Sequence, residues 1–193
     1  MKPTDSTKLA AWGAIIAALA VTLASPVFAL DAYRDRKGLF TGVGLGGGVA
    51  VQDGEPGGEI LLELAAGGGA SEKLTFALDL DIWFQLIDDR QNWLVVPGPE
   101  LNYFLTDGLF LRAGVGMALV FVRGEKVHDV ATPGTAVEDN DFALGFDGSL
   151  GLGYEFFVNS NLALGLAVEG DYFLIDDHDD VLGASFSVGI RYY

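Results

Sequence analysis

The sequence predicts an all-β protein, an eight-stranded antiparallel up-and-down transmembrane β-barrel that follows a cleaved N-terminal signal peptide. Eight segments alternate apolar with small or polar residues at a period of two, as strands with two unlike faces do. Half of the residues are hydrophobic, yet no apolar run after Leu30 is long enough for a membrane helix. The last nine residues continue the alternation and finish on aromatics.

The N-terminus has the parts of a secretory signal peptide. Lys2 and Lys8 form a basic region. Residues 9–23 form an apolar stretch shorter than the ~20 residues that a spanning helix needs. Because a short apolar core behind a basic start is typical of a secreted precursor, we expect export from the cytoplasm.

Small residues at the −3 and −1 positions, in the sequence Val-Phe-Ala, mark the cleavage site. We expect cleavage between Ala29 and Leu30, so that residues 1–29 are the signal peptide and residues 30–193 the barrel domain. The chain has no cysteine, which leaves no lipoprotein attachment site and no disulfide.

The composition favours a membrane barrel. A positive mean hydropathy of +0.35 is unusual for a chain with a formal charge of −16. A membrane chain without spanning helices has one alternative, a closed barrel in which the strands satisfy every backbone group. The 27 glycines agree, since glycine is poor inside helices but useful inside a narrow barrel.

The connections between the segments alternate in length. Tight turns are predicted at 71–73, 106–108 and 158–161, and longer loops at 52–58, 87–92, 123–140 and 176–180. Short periplasmic turns and longer external loops give this alternation when both termini are periplasmic. The predicted strands are 38–51, 59–70, 74–86, 93–105, 109–122, 141–157, 162–175 and 181–193.

The two faces of each strand predict what is outside and what is inside. In segment 74–86, one face carries six bulky apolar residues and the other carries Thr75, Ala77, Asp79, Asp81 and Trp83. A lipocalin-like soluble barrel would alternate in the same way, inside out. Its solvent face should be rich in Lys, Glu and Thr, whereas here that face is mostly Gly, Ala and Ser. The bulky face should therefore meet lipid, and aromatics clustered near both strand ends fit two membrane interfaces.

The chain resembles the small bacterial outer-membrane β-barrel family, in the group of OmpA/OmpX-like eight-stranded barrels. The resemblance covers the mature chain and is carried by the Gly-rich strand 38–48, by 98–104, by 111–116 and by the terminal Gly-Ile-Arg-Tyr-Tyr. It implies the outer membrane of a Gram-negative cell envelope and a porin-like architecture. The partners that it implies are outer-membrane lipid, lipopolysaccharide and the barrel-assembly machinery, which would recognise the C-terminal strand.

Acidic residues on the inward face form the candidate site. If the loops are simple hairpins, Glu63 faces Asp81, Asp79 lies beside Glu100, and Asp147 faces Asp171 with Glu169 diagonal to it. The inward counter-charges are Arg112 and Arg191, and Arg112 could pair with Glu100 or Glu155. The predicted lumen acids, with Glu59 and Glu155 completing the set, are Glu63, Asp79, Asp81, Glu100, Asp147, Glu169 and Asp171.

Two interpretations of this acidic lumen stay open. One is a hydrated network that fills a barrel whose bore is barely wider than its side chains. The other is a narrow cation-preferring channel or a divalent-ion site.

Two loops could bind partners. Asp176, Asp177, Asp179 and Asp180 could hold Ca²⁺ or Mg²⁺ through carboxylate oxygens, or could simply be a solvated acidic loop. The long loop 123–140 is the natural site for a surface partner.

Catalysis has little support in the sequence. An enzyme acting on lipid A would need a nucleophile and a base near the outer rim, and only His178 and Ser185 come near each other in sequence. The glycine runs lead into no helix and are not phosphate cradles. We expect a non-enzymatic protein with no cofactor and no nucleic-acid partner, whose role is structural or surface-interactive through its acidic external loops.

Overall fold

Eight antiparallel strands close into a single barrel in the computed structural model, which describes residues 36–87, 90–128, 136–176 and 180–193. Each strand pairs with the next one along the chain, and the last pairs with the first. This confirms the predicted fold class. The signal peptide and its cleavage site at Ala29 and Leu30 lie outside the described residues. The strands are β1 (Gly38–Gln52), β2 (Glu55–Ser71), β3 (Leu74–Ile87), β4 (Arg90–Phe104), β5 (Leu109–His128), β6 (Ala136–Phe157), β7 (Leu162–Ile175) and β8 (Val181–Tyr192).

The closing ladder joins β1 to β8 from Thr41–Tyr192 to Gln52–Val181 without a break. Closure leaves no sheet edge along these residues, as a strand protein in lipid requires. No helix among the described residues is long and apolar enough to cross a membrane.

The outer surface of the barrel is apolar on all eight strands. Leu39, Leu78, Phe146 and Leu150 are 86, 73, 69 and 72 % exposed, and they alternate with inward residues as predicted. So much exposed apolar surface would be costly in water and is suited to lipid chains. The exterior is therefore that of a membrane barrel.

The start of β1 and the end of β8 lie at the same end of the barrel as the three predicted tight turns. These turns follow β2, β4 and β6, and Tyr193 N–H donates to the Asn161 carbonyl beside the last of them. We call this the turn end and the opposite end the loop end.

The connection predicted as a loop over 52–58 is instead a two-residue hairpin at the loop end. Asp53 and Gly54 have φ angles of 52° and 80°, so both are left-handed, as this kind of tight turn requires. Glu55 already pairs with Gln52, and Val51 with Pro56. The sequence hides these strand residues because Pro56 and two glycines interrupt the apolar alternation.

The predicted loop 123–140 is also mostly strand. β5 continues to His128 and β6 begins at Ala136, and Lys126 pairs with Glu138 beyond a bulge. Residues 129–135 lie outside the described residues. This part of the chain, residues 124–128 with 136–140, is called the β5–β6 arm below.

Two prolines interrupt one ladder in the wall. β4 pairs with β5 down to Val95–Leu119 and again from Glu100–Gly114, while residues 96–99 have no β5 partner. Pro97 and Pro99 have no N–H to donate. Alternate residues of a strand point their N–H groups to the same neighbouring strand, so both missing donors are lost from the β5 side. The β3–β4 ladder is continuous past both prolines.

Candidate functional site: the charged lumen

Inward strand positions bring all the predicted lumen acids into the barrel interior. Asp79 and Asp81 are partly buried, and the others are at least nine-tenths buried. These nine carboxylates are Glu59, Glu63, Asp79, Asp81, Glu100, Asp147, Glu155, Glu169 and Asp171.

Arg112 is the centre of an ion-pair network. Its Nη1 atom lies 2.5 Å from Glu63 Oε1 and 3.1 Å from Glu169 Oε2, and its Nε lies 3.1 Å from Glu100 Oε2. The predicted pairing with Glu100 is present. The lumen is narrow enough for β5 to reach carboxylates on β2 and β7, which strand pairing alone does not bring together.

Arg191 forms a second set of contacts nearer the turn end. Its Nη2 lies 3.2 Å from Glu100 Oε1, and its Nη1 lies 3.7 Å from Glu155 Oε2. The Tyr193 hydroxyl donates to Glu155 Oε2 at 2.8 Å. Glu100 thus connects the two arginines that the sequence predicts as counter-charges.

Arg36 is a third buried arginine, and sequence reasoning missed it. Its Nε lies 2.8 Å from Glu155 Oε1, its side chain donates to the Asp107 and Glu72 carbonyls, and its guanidinium stacks on the Phe104 ring at 3.7 Å. Arg36 is 3 % exposed and, with the buried Phe104 ring, helps to close the turn end of the lumen. It precedes β1, where no periodic pattern marks a residue as inward.

The predicted carboxylate pairs are right in one case and displaced in two. Glu63 lies opposite Asp81, as predicted. Asp79 lies directly opposite Gly98, and Glu100 directly opposite Ala77, so Asp79 and Glu100 are diagonal neighbours whose side chains still meet.

On the other wall, Asp147 lies opposite Phe173, and Asp171 lies opposite Ser149. The hairpin centres were misjudged by about one residue, which moves the opposing residue by two. The displaced acids keep their inward phase and remain diagonal neighbours.

Five of the inward acids have no ion-pair partner among the described residues. Glu59 accepts a hydrogen bond from Gln85 Nε2 at 3.1 Å, but its Oε1 atom has no partner. One oxygen each of Asp81, Asp147 and Asp171 is equally buried and unpartnered. Asp79 Oδ1 accepts a hydrogen bond from the Leu80 backbone N–H at 2.9 Å, and the Asp79 carboxyl is also hydrogen-bonded to Glu100. Within the described ranges, no three acids or histidines converge closely enough to chelate a metal ion.

An apolar layer fills the lumen toward the loop end and extends beyond the inward aromatics that the alternation predicts there. Trp83 and Phe173 pack edge to face with ring centroids 6.1 Å apart, and both are at most 2 % exposed. Their inward phase was evident from the sequence. The other members of this apolar layer are Ala50, Leu61, Ile87, Leu94, Val96, Ala118, Val120, Ala143, Ile175 and Val181.

A cavity of about 40 Å³ remains in the turn-end half of the lumen. Its charged lining comes from Glu63, Asp79, Glu155, Arg112 and Arg191, and glycines form much of the rest. A space of this size holds a few water molecules or one small ion.

Of the four aspartates predicted as a metal site in the 176–180 loop, Asp176 and Asp180 are among the described residues. The Tyr172 hydroxyl donates to Asp180 Oδ2 at 2.6 Å, which ties that carboxylate to β7. Asp177 and Asp179 lie outside the described residues, so the metal site with Asp176 and Asp180 stays a prediction. His178 also lies outside them, and Ser185 is buried inside the barrel at 5 % exposure.

Comparisons with solved structures agree with the architecture. The crystal structure of Neisserial surface protein A matches with a TM-score of 0.62 and 16 % identity, over 80 % of this chain and 96 % of that one. Ail, the attachment invasion locus protein of Yersinia pestis, matches with a TM-score of 0.54 and 10 % identity, over 81 % of this chain and 98 % of that one. No family model matches the sequence, and no curated protein matches it. The chain therefore has the fold of small bacterial outer-membrane β-barrels, and its apolar exterior suits that membrane.

Proposed function

We propose that the protein is a non-catalytic outer-membrane barrel that binds a basic surface partner through its loop end. The β5–β6 arm carries this proposal. On one side, β4 pairs with β5 only as far as Arg123; on the other, β7 pairs with β6 only from Gly145 onward. The arm therefore extends past both neighbouring strands.

The arm presents backbone that neighbouring strands do not cover. Asp176 N–H donates to the Leu144 carbonyl, and β6 before Leu144 has β5 as its only strand neighbour among the described residues. Free strand edges are a common means of capturing an extended segment of another chain.

The charge of the loop end favours a basic partner. Residues 138–141 contain three acids, and residues 176–180 contain four. Opposite charge on a partner would speed its encounter and select against acidic competitors.

Orientation is part of the proposal. With both termini and the tight turns periplasmic, the arm would face the outside of the cell. Outer-membrane lipid and lipopolysaccharide would contact the apolar wall, and the assembly machinery would recognise β8.

The filled lumen supports a closed barrel over the channel alternative. Twelve buried apolar residues occupy the loop-end half, and water and ions cross such a layer at high cost. Ser185, buried in the lumen, is poorly placed to meet an acyl chain, which supports the non-catalytic reading.

Cells that display the protein provide the test. Wild-type cells should adhere to a surface coated with a lysine-rich peptide more strongly than cells that lack the protein, and cells in which an Asn-Gly turn replaces residues 124–139 should lose this excess. A matched control is D53N/E55Q, which removes two charges at the same end and leaves the arm intact. Equal adhesion of the wild type and the arm variant would refute the proposal.

A further inference from the structure

The unpaired lumen acids create a need for positive charge. Nine carboxylates face three buried arginines inside the described barrel, and Arg36, Arg112 and Arg191 pair with only four of those acids. Glu59, Asp79, Asp81, Asp147 and Asp171 have no such partner. Buried ionised carboxylates without counter-charge are costly, and either a proton or a bound cation offsets that cost.

Neutral side chains near these acids point to the same need. Gln85 is fully buried and gives its Nε2 hydrogen to Glu59, while its own Oε1 atom has no donor. The buried Ser185 hydroxyl, beside Glu169, is also unpartnered. A group of acceptor oxygens without donors suits a cation with its bound water.

Glu59 and Asp171 converge over a glycine. A Cβ atom at Gly183 would lie 3.4 Å from both Glu59 carboxylate oxygens and 3.5 Å from Asp171 Cβ. The two acids thus approach each other across β8, although they belong to β2 and β7. Negative potential is concentrated at this point, next to the apolar layer.

The turn end has a closure that can move without breaking the sheet. Arg36 belongs to no strand, and its side chain bonds to Glu155 and to two turn carbonyls and stacks on Phe104. Strand side chains close the loop end, and at the turn end Phe104 and Phe110 are buried beside Arg36 and Arg191. Withdrawal of Arg36 would bare Glu155, which lines the cavity.

We propose that the lumen is a dead-ended chamber that takes up small inorganic cations through the turn end, and that Arg36 is its removable stopper. The ions are held by the collective charge of the carboxylates rather than by chelation, because no three described acids converge on one point. This role is separate from partner binding at the loop end.

Access to the chamber can be measured with a single thiol. The chain has no cysteine, and Ser187 lines the cavity while being 5 % exposed, so S187C gives a unique buried reporter. In the refolded mature chain, Ag⁺ should label S187C slowly and S187C/R36A at least tenfold faster. The rate of labelling by the neutral reagent methyl methanethiosulfonate should rise much less when R36A is introduced.

Two controls define the entrance. Lys37 is the exposed neighbour of Arg36, so S187C/K37A should label like S187C alone. S187C/W83A, which weakens the opposite closure, should also stay slow. The proposed role of Arg36 is refuted if W83A accelerates labelling and R36A does not. It is also refuted if R36A accelerates labelling by both reagents equally.

A second measurement tests cation uptake on the unmodified barrel. The unfolding midpoint should be higher in sodium chloride than in N-methyl-D-glucamine chloride at equal ionic strength, since the larger cation cannot enter. The difference should at least halve in D147N/D171N and persist in D53N/E55Q, whose charges lie at an exposed turn. Equal unfolding midpoints in the two salts would contradict the proposal that the lumen takes up small cations.

Discussion

Arg112 reaches across the lumen to Glu63, with 2.5 Å between Nη1 and Oε1, although β5 and β2 are not neighbours in the sheet. The same guanidinium contacts Glu100 on β4 and Glu169 on β7. One side chain thus braces four strands of the wall from inside.

Arg112→Met should be strongly destabilising, because it leaves three buried carboxylates without this partner. We expect the free energy of unfolding in lipid to fall by roughly 3–5 kcal/mol, the usual cost of removing one member of a buried ion pair. Urea titration followed by tryptophan fluorescence measures it. The control is K73M, which removes an exposed positive charge at a turn. A similarly small loss of stability in both variants would contradict the proposed stabilisation of four strands by Arg112.

Gly44→Ala should destabilise the barrel while Gly165→Ala should not. A Cβ at Gly44 would collide with the Glu63 carboxylate, whereas a Cβ at Gly165 meets nothing within 4 Å. Both glycines line the cavity, so they are matched in position. Overpacking at Gly44 should cost about 1–3 kcal/mol. The same urea titration applies, and equal midpoints for the two variants would count against the described side-chain placement.

Trp83→Ala should cost more stability than Trp93→Ala. Trp83 is 2 % exposed and packs inside against Phe173. Its removal leaves a buried cavity and should lower the free energy of unfolding by about 3–5 kcal/mol. Trp93 is 48 % exposed on the outer wall, where lipid chains can fill the space. Thermal unfolding in the same lipid compares them. A larger loss for Trp93→Ala would mean that the apolar layer is not the packed core of the loop end.

Replacing residues 124–139 by an Asn-Gly turn should leave the barrel nearly as stable as the wild type. Beyond Arg123, β5 is paired only with β6 among the described residues. We expect a change within about 1 kcal/mol, as for surface changes away from the core. A loss of several kcal/mol would show that the β5–β6 arm supports the wall rather than standing apart from it.

Protein purified from outer membranes should begin at Leu30. Intact-mass spectrometry reads the start directly, and Ala29→Arg should block processing because the −1 position needs a small residue. Retention of residues 1–29 in the mature wild type would show that the apolar stretch is an anchor.

The alternation of residue types was sufficient to predict eight strands, their order and the inward phase of every lumen acid. It could not give exact pairing, because a one-residue error in a hairpin centre shifts partners by two, as with Asp79 and Glu100. Pro56 and the nearby glycines break the apolar alternation and so concealed the start of β2. A proline is tolerated there because the strand has a neighbour on one side only. Pro56 pairs only with β1, since the β2–β3 ladder starts at Gly57.

The two closures of the lumen were harder to foresee. Arg36 stands in an irregular segment, and its role depends on turns that are distant in sequence. Leu61, Leu94 and Val120 follow the inward phase, but a lumen expected to be lined mainly by small and charged residues gave no reason to single them out. Their burial follows from a bore that side chains fill completely.

The interrupted ladder beside Pro97 and Pro99 makes the wall mechanically uneven. Through most of the wall each strand is bonded on both sides, so bending the cylinder means stretching two rows of hydrogen bonds together. Along residues 96–99 only the β3 side resists. When the surrounding bilayer thins or curves, the cylinder will flatten first along this line, and the rest of its cross-section will keep its shape.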